Sequence, residues 1–213
     1  MIIVTGGAGF IGSNLVRGLN AEGHDNILVV DDLTQGRKFA NLDDARIADF
    51  IDLEDFAARL DRGESFGRVS AVLHQGACSD TTEWDGRLMM RLNFEASKRV
   101  FHWCQARRTP LVYASSAAVY GASTSFAEDG DNEMPLNVYG WSKLMFDRWL
   151  ARQDTVAPVT GFRYFNVYGP REQHKGRMAS VIHHFDKQLR DGDVIRLFEG
   201  SHGYADGEQR RDF

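Results

Sequence analysis

Ile2-Ile3-Val4-Thr5-Gly6-Gly7-Ala8-Gly9-Phe10-Ile11-Gly12 decides the fold of this chain. A β-branched run ends in glycines, and an amphipathic pattern follows (Phe10, Ile11, Leu15, Val16, Leu19), so a strand feeds directly into a helix. Gly7, Gly9 and Gly12 satisfy GxGxxG, and Gly6, Gly9 and Gly12 satisfy GxxGxxG. Glycines there allow a tight turn and let the backbone approach a pyrophosphate, and the helix start beyond offers N–H groups and a positive dipole end. Asp31 closes the next strand pattern, 19 positions after Gly12, where the dinucleotide signature places a ribose-binding acid. A carboxylate there suits the free ribose hydroxyls of NAD and repels the 2′-phosphate of NADP. Arg37 and Lys38 follow within one loop and could hold that phosphate, so the residues leave both cofactors open.

Outward from this stretch, short β-branched runs alternate with longer helical patterns. Strands are expected at 2–5, 27–31, 46–50, 70–74, 110–114 and 158–165, and helices near 10–22, 53–62, 84–107, 138–153 and 178–191. Such alternation predicts an α/β fold, a Rossmann-type doubly wound parallel sheet with helices on both faces. The strand runs are apolar throughout, as strands covered on both faces should be. A dinucleotide-binding domain is expected over 1–165 and part of a substrate-binding domain over 166–213. The polar stretch 121–134 reads as a loop, and Pro135 with Asn137 reads as a helix start, Asn137 being the N-cap. After 191 the pattern breaks up into one short strand candidate at 194–198 and a polar segment at 200–212. The chain stops at Arg210-Arg211-Asp212-Phe213 without a closing element, and a piece of a longer protein is expected.

Composition bounds the function. The 213 residues are 43% hydrophobic and 26% charged with a net charge of −5, the make-up of an ordinary globule. The basic residues are scattered rather than clustered, which argues against a nucleic-acid surface. The longest apolar runs are four or five residues, too short to span a membrane. No basic segment precedes a long apolar one, so no secretory leader is expected and a cytoplasmic protein is. Cys78 and Cys104 form no CxxC, and the adjacent His183 and His184 belong to no metal-ligand pattern, so no metal is expected.

Tyr139 and Lys143 are four apart on the predicted helix, hence on one face. A tyrosine that must release a proton near neutral pH needs a cation close by, and lysine at that spacing supplies one. Upstream, Leu111-Val112-Tyr113-Ala114-Ser115-Ser116-Ala117-Ala118-Val119-Tyr120-Gly121 ends a strand at two serines, at the edge where open α/β sheets place their ligands. A glycine-rich start, a serine at the end of the fifth strand and YxxxK together resemble the extended short-chain dehydrogenase/reductase family, the NAD-dependent epimerases and dehydratases. The resemblance covers essentially the whole chain. It implies that Tyr139 is the acid/base touching the substrate hydroxyl. Lys143 would bind the nicotinamide ribose and depress the tyrosine pKa, and Ser116 would hydrogen-bond the reacting oxygen. The family serine is the one directly before the A-x-V-Y-G run, so Ser116 is chosen over Ser115. The same resemblance assigns cofactor contacts to Gly6, Gly9, Phe10, Ile11, Gly12, Asp31, Asp32 and Lys38. It adds Gln75, Gly76, Ala77, Cys78 and Ser79 at the end of the fourth strand, and the helix residue Asn93. Asp49-Phe50 would follow the third strand, beside the adenine.

Rarer segments narrow the resemblance. Residues 74–87 (HQGACSDTTEWDGR) and 163–180 (RYFNVYGPREQHKGRMAS) look like those of family epimerases that invert carbon 6 of an ADP-linked heptose. Phe198, Glu199, Gly200 and Ser201 fit the same pattern. The resemblance implies NADP as the usual cofactor, an ADP-heptose substrate, a homo-oligomer and a place in lipopolysaccharide heptose synthesis. Hydride would pass to the bound cofactor, a ketone would form, and hydride would return to its other face. Lys175 is then the second proton-transfer candidate, its alternative reading being a diphosphate-binding or surface lysine. Asn166, Val167, Arg177, His184 and Arg211 are substrate-binding candidates; the arginines suit a diphosphate, which is best held by bidentate donors, and Asn166 also suits hydroxyl recognition. A UDP-hexose 4-epimerase or a sugar dehydratase is the nearest rival; Ala117 and Ala118 after Ser116 count against the dehydratase. A non-catalytic NADP-binding regulator would have no need of Ser116, Tyr139 and Lys143 together.

Overall fold

A computed structural model describes residues 1–192, 194–201 and 203–210. The chain divides into two compact units, Met1–Tyr164 and Phe165–Phe213. Six parallel strands form the first unit's sheet: β1 (Ile2–Thr5), β2 (Ile27–Asp31), β3 (Asp49–Asp52), β4 (Ala71–His74), β5 (Leu111–Ser116) and β6 (Val159–Tyr164). Their order is β3-β2-β1-β4-β5-β6, so the chain winds outward from β1 and then crosses to β4 on its other side. The carboxyl ends of β1 and β4 meet in register at Thr5 and His74. That reversal of strand order is where open sheets of this kind bind ligands.

The helices of this unit are α1 (Phe10–Ala21), α2 (Leu53–Asp61), α3 (Gly86–Met89), α4 (Ala96–Ala106) and α5 (Val138–Leu150). One wide turn, Met90–Glu95, joins α3 to α4 without breaking the helix. Because successive strand residues point to opposite faces, Ile3, Leu28 and Val30 pack with Phe56 of α2, Phe101 of α4 and Phe146 of α5. Val4, Ile27 and Val29 pack on the other face with Val16 of α1. Each such fully buried side chain contributes about 1.5–3 kcal/mol relative to exposure. The Asp52 side chain accepts the Glu54 amide at 2.8 Å and starts α2.

Two expected strands differ. The third begins at Asp49, not 46, because Arg46 is already held: its amide donates to Asn20 Oδ1 at 2.8 Å and its carbonyl accepts Asn20 Nδ2 at 2.8 Å. Pairing with β2 therefore starts at Leu28↔Asp49 and ends at Asp31↔Asp52. Asp49-Phe50 consequently opens the strand, and it is Asp52-Leu53 that reaches the ligand edge. The strand expected at 194–198 is absent. There the Arg196 amide is taken by the Gln188 side chain at 2.7 Å and the Phe198 carbonyl by the Gly207 amide at 2.9 Å, leaving no ladder to form. The second unit holds a short turn of helix, Gln173–Met178, and α6 (Val181–Gly192). Among the described residues no helix is long and apolar enough to cross a membrane.

Candidate active site

The glycine loop is folded on itself with no room for side chains. A Cβ on Gly12 would lie 2.1 Å from the Gly6 carbonyl oxygen, and one on Gly6, at φ +66°, would lie 2.7 Å from the Gly76 nitrogen. Gly9 caps α1 without a side-chain bond, and the first turn carries no acidic residue, so nothing competes with an anion for the positive helix end. Asp31, 6% exposed, braces the loop: its Oδ2 accepts the Ala8 amide at 2.8 Å. Its Oδ1 accepts Lys38 Nζ at 2.7 Å, and Lys38 also lies 3.6 Å from Asp32. Asn41, which the sequence reading missed, donates to the Ala8 carbonyl at 2.9 Å from within the turn Gly36–Asn41.

At the switch point the Gly76 amide donates to Thr5 Oγ1 at 3.1 Å. Thr5 Oγ1 meets His74 Nδ1 at 2.6 Å, and His74 Nε2 meets Ser97 Oγ at 3.1 Å. Burial, assisted by the Lys143 charge, pushes His74 down to about 3, so it is a neutral connector. The buried side-chain nitrogen and oxygen of Gln75 have no hydrogen-bond partner. An orphaned buried amide calls for a ligand or water to satisfy it. The packed glycine cradle, the acid-free helix start and the unsatisfied Gln75 together fit a dinucleotide. Asn93 sits in the wide turn and holds the next segment from both sides. It accepts the Cys78 amide at 2.8 Å, donates to the Cys78 carbonyl at 3.0 Å, and reaches Ser142 of α5 at 2.9 Å. Wide turns of this kind often mark functional sites.

Helix α5 starts as expected: Asn137 Oδ1 accepts the Gly140 amide at 2.8 Å. A Cβ on Gly140 would lie 2.6 Å from the Ala118 carbonyl oxygen, so only glycine lets α5 lie against the turn that follows Ser116. This contact brings Ser116 and Tyr139 together, with Lys143 one turn further along α5. Ser116 accepts the Ala118 amide at 3.1 Å and faces the Tyr139 phenol, favouring its ionised form. Ser115 turns away and donates to Asp147 at 2.7 Å. Lys143 is buried, and its Nζ donates to the Ala114 carbonyl at 2.9 Å. Burial lowers it to about 8, opposed by the Asp147 charge. The expected depression of Tyr139 is not met: burial raises its phenol, and Cys78 adds to the rise. Lys143 spends its hydrogen bond on a backbone carbonyl, so desolvation of the phenol dominates.

The second unit carries the remaining candidates. Lys175 lies in Gln173–Met178 with its amide bonded to the Glu172 carbonyl at 2.9 Å; burial lowers its pKa and Glu172 opposes this. Glu172 is 2% exposed and closes the loop, accepting the Gly169 amide at 3.1 Å and the Ser180 hydroxyl at 2.8 Å. Asn166 and Arg177 are exposed, and Val167 is partly buried. Phe198 lines an apolar cleft of about 190 Å³ with Val181, Ile182, Phe185 and Leu197. Glu199, Gly200 and Ser201 are exposed beside it, the Gly200 amide held by Asp206 at 2.6 Å. In a second cleft it is His183, not His184, that joins Glu172 and Arg190 in the lining. Arg211 lies outside the described residues.

Comparison with known proteins agrees with this geometry. The NAD dependent epimerase/dehydratase family matches residues 2–213. An ADP-L-glycero-D-manno-heptose-6-epimerase of Alkalilimnicola ehrlichii is 64% identical over the whole of this chain and 67% of its own length. The crystal structure of the Helicobacter pylori enzyme of the same name superposes with a TM-score of 0.81 at 32% identity, covering 93% of this chain and 65% of that one. A Thermotoga maritima UDP-glucose 4-epimerase, solved with UDP-glucose, gives 0.76 at 27% identity over 93% and 65%. The chain thus spans about two thirds of the length of these relatives. Strand order and glycine cradle point the same way, and the chain belongs to the NAD dependent epimerase/dehydratase family.

Proposed function

We propose that this protein is an isomerase that inverts carbon 6 of an ADP-linked glycero-manno-heptose, using tightly bound NADP. Ser116 facing Tyr139 at the sheet edge, with Lys143 one helical turn on and bonded to the Ala114 carbonyl, carries the reading. The 64% identity to a heptose 6-epimerase supports the substrate. The C–H bond at such a carbon is not acidic, so direct proton removal is too slow and oxidation to a ketone is the accessible route. The dinucleotide, when bound, accepts hydride and returns it within one turnover, leaving no net redox change.

The chain's own residues handle the proton and the geometry. Tyr139 takes the hydroxyl proton as the alcohol is oxidised and gives one back as it re-forms, while Ser116 hydrogen-bonds the same oxygen. Lys143 would hold the cofactor ribose and would supply the positive charge that an ionised Tyr139 needs. The two epimers present the hydroxyl on opposite faces, so a second proton-transfer group is useful; Lys175, its pKa lowered by burial, takes that role. NADP is favoured over NAD because Lys38 neutralises Asp31.

The test is an epimerisation assay on ADP-heptose with UDP-galactose in parallel. Conversion of ADP-heptose alone is expected. Tyr139→Phe should lose about 10²–10⁴-fold in rate yet still bind cofactor, and Lys175→Met should slow one direction more than the other. Turnover of UDP-galactose instead would favour the 4-epimerase reading, and full activity in Tyr139→Phe would overturn the assignment of Tyr139.

A further inference from the structure

A buried polar cluster lies directly behind the proposed catalytic trio. Asp147 stands on α5 one helical turn beyond Lys143, and its side chain is 11% exposed. Three donors aim at it: Tyr113 Oη at 2.9 Å, Ser115 Oγ at 2.7 Å and Arg163 Nε at 3.3 Å. Burial raises the Asp147 carboxyl, and the three donors, one of them a guanidinium, pull it back toward the carboxylate. Arg163, at the end of β6, also donates to Tyr120 Oη at 2.9 Å and to Glu133. Glu133 comes from the polar loop before α5, and its side chain is only 6% exposed. Tyr113 and Ser115 alternate along β5 with Ala114, whose carbonyl receives Lys143, and with Ser116.

We propose that Asp147 is a positioning residue for the reaction. Through Tyr113, Ser115 and Arg163 it holds the Ser116-bearing end of β5 against α5, and its charge one turn from Lys143 keeps the buried ammonium protonated. The inference rests on the epimerase reading for its catalytic meaning, but its structural core does not. An ammonium taken out of water needs a nearby anion. The charged and titratable groups around Lys143 are Asp147 and Tyr139 on its own helix, His74 on β4, and Tyr113 on β5. Arg163 on β6 reaches Asp147, with Glu133 behind it, and Cys78 faces Tyr139. His74 is neutral and burial disfavours ionised Tyr139 in the ligand-free protein, so Asp147 is the anion that offsets the burial of Lys143, and Arg163 tempers it.

Removing Asp147 and removing Arg163 should shift Lys143 in opposite directions. In the purified protein with ¹³C-labelled lysine, the Cε signal of Lys143, assigned by its loss in Lys143→Met, is titrated by NMR. Asp147→Asn should move the Lys143 midpoint down by about one pH unit. Arg163→Gln should move it up, because Asp147 then acts untempered; Asp147→Glu should restore the wild-type value. The alkaline limb of kcat/KM on ADP-heptose should follow the same order. A merely structural role would lower the amplitude without moving either limb or midpoint. An unmoved Lys143 midpoint in the folded Asp147→Asn protein overturns the proposal. If that variant does not fold, an unmoved or lowered midpoint in Arg163→Gln does so. A wild type inactive on ADP-heptose with these NMR shifts intact would sink the substrate reading and leave Asp147's role standing.

Discussion

Asp31 and Lys38 meet at 2.7 Å with the carboxylate almost wholly buried. Left alone, that carboxylate would repel the 2′-phosphate of NADP; paired with Lys38, it leaves a site of nearly balanced charge with the exposed Arg37 beside it. Lys38→Met should therefore weaken NADP by tenfold or so while changing NAD much less, as read by fluorescence titration of both nucleotides. Equal effects on the two would show that Lys38 does not choose between them. The sequence exposed Asp31 because motif spacing is local. It concealed what Asp31 does inside the fold, since Ala8 and Asn41 meet only when the glycine loop closes over β2. The choice of Ser116 over Ser115 comes from the family resemblance; strand alternation says only that adjacent hydroxyls face opposite sides, and here Ser115 meets Asp147 while Ser116 faces Tyr139.

Helix α5 carries Tyr139 in its first turn, so the helix start sets the position of the phenol. Asn137 ends the preceding loop and ties down the Gly140 amide at 2.8 Å. Asn137→Ala should cost about 1 kcal/mol of stability in denaturant melts. It should also lower kcat more than it raises KM, because a frayed first turn moves Tyr139 away from Ser116. Asn137→Asp, which caps equally well, should rescue both; a variant with normal kcat would show that packing of Gly140 on Ala118 suffices. Elements of this kind were readable because caps and apolar runs are written locally. Edge strand β3 was misplaced by three residues because its register is fixed from outside, by the Asn20 side chain gripping Arg46. Glu133 read as one more polar loop residue because nothing local announces that Arg163, thirty positions on, will bury it.

Across the whole first unit, the sheet and its two apolar layers supply stability, and the site withdraws some of it. Lys143 is an ammonium in a buried place, lowered from 10.5 to about 8 in the fold. Below pH 8 both folded and unfolded chains hold the proton, and the fold bears the full cost, up to about 3 kcal/mol at 1.36 kcal/mol per unit. Between 8 and 10.5 the folded protein sheds the proton while the unfolded chain keeps it, and the cost fades; above 10.5 it is gone. Methionine fills a similar volume without the charge, losing one hydrogen bond to Ala114 worth about 1 kcal/mol. Asp147 keeps Arg163 as its partner in that variant. Lys143→Met should therefore abolish activity and still melt at a higher temperature than wild type at pH 7, with the gap closing in calorimetric scans toward pH 10. A variant that melts lower at pH 7, or by a margin independent of pH, would mean that the Lys143 charge is fully compensated by Asp147. The fold would then bear no cost for its catalytic cation.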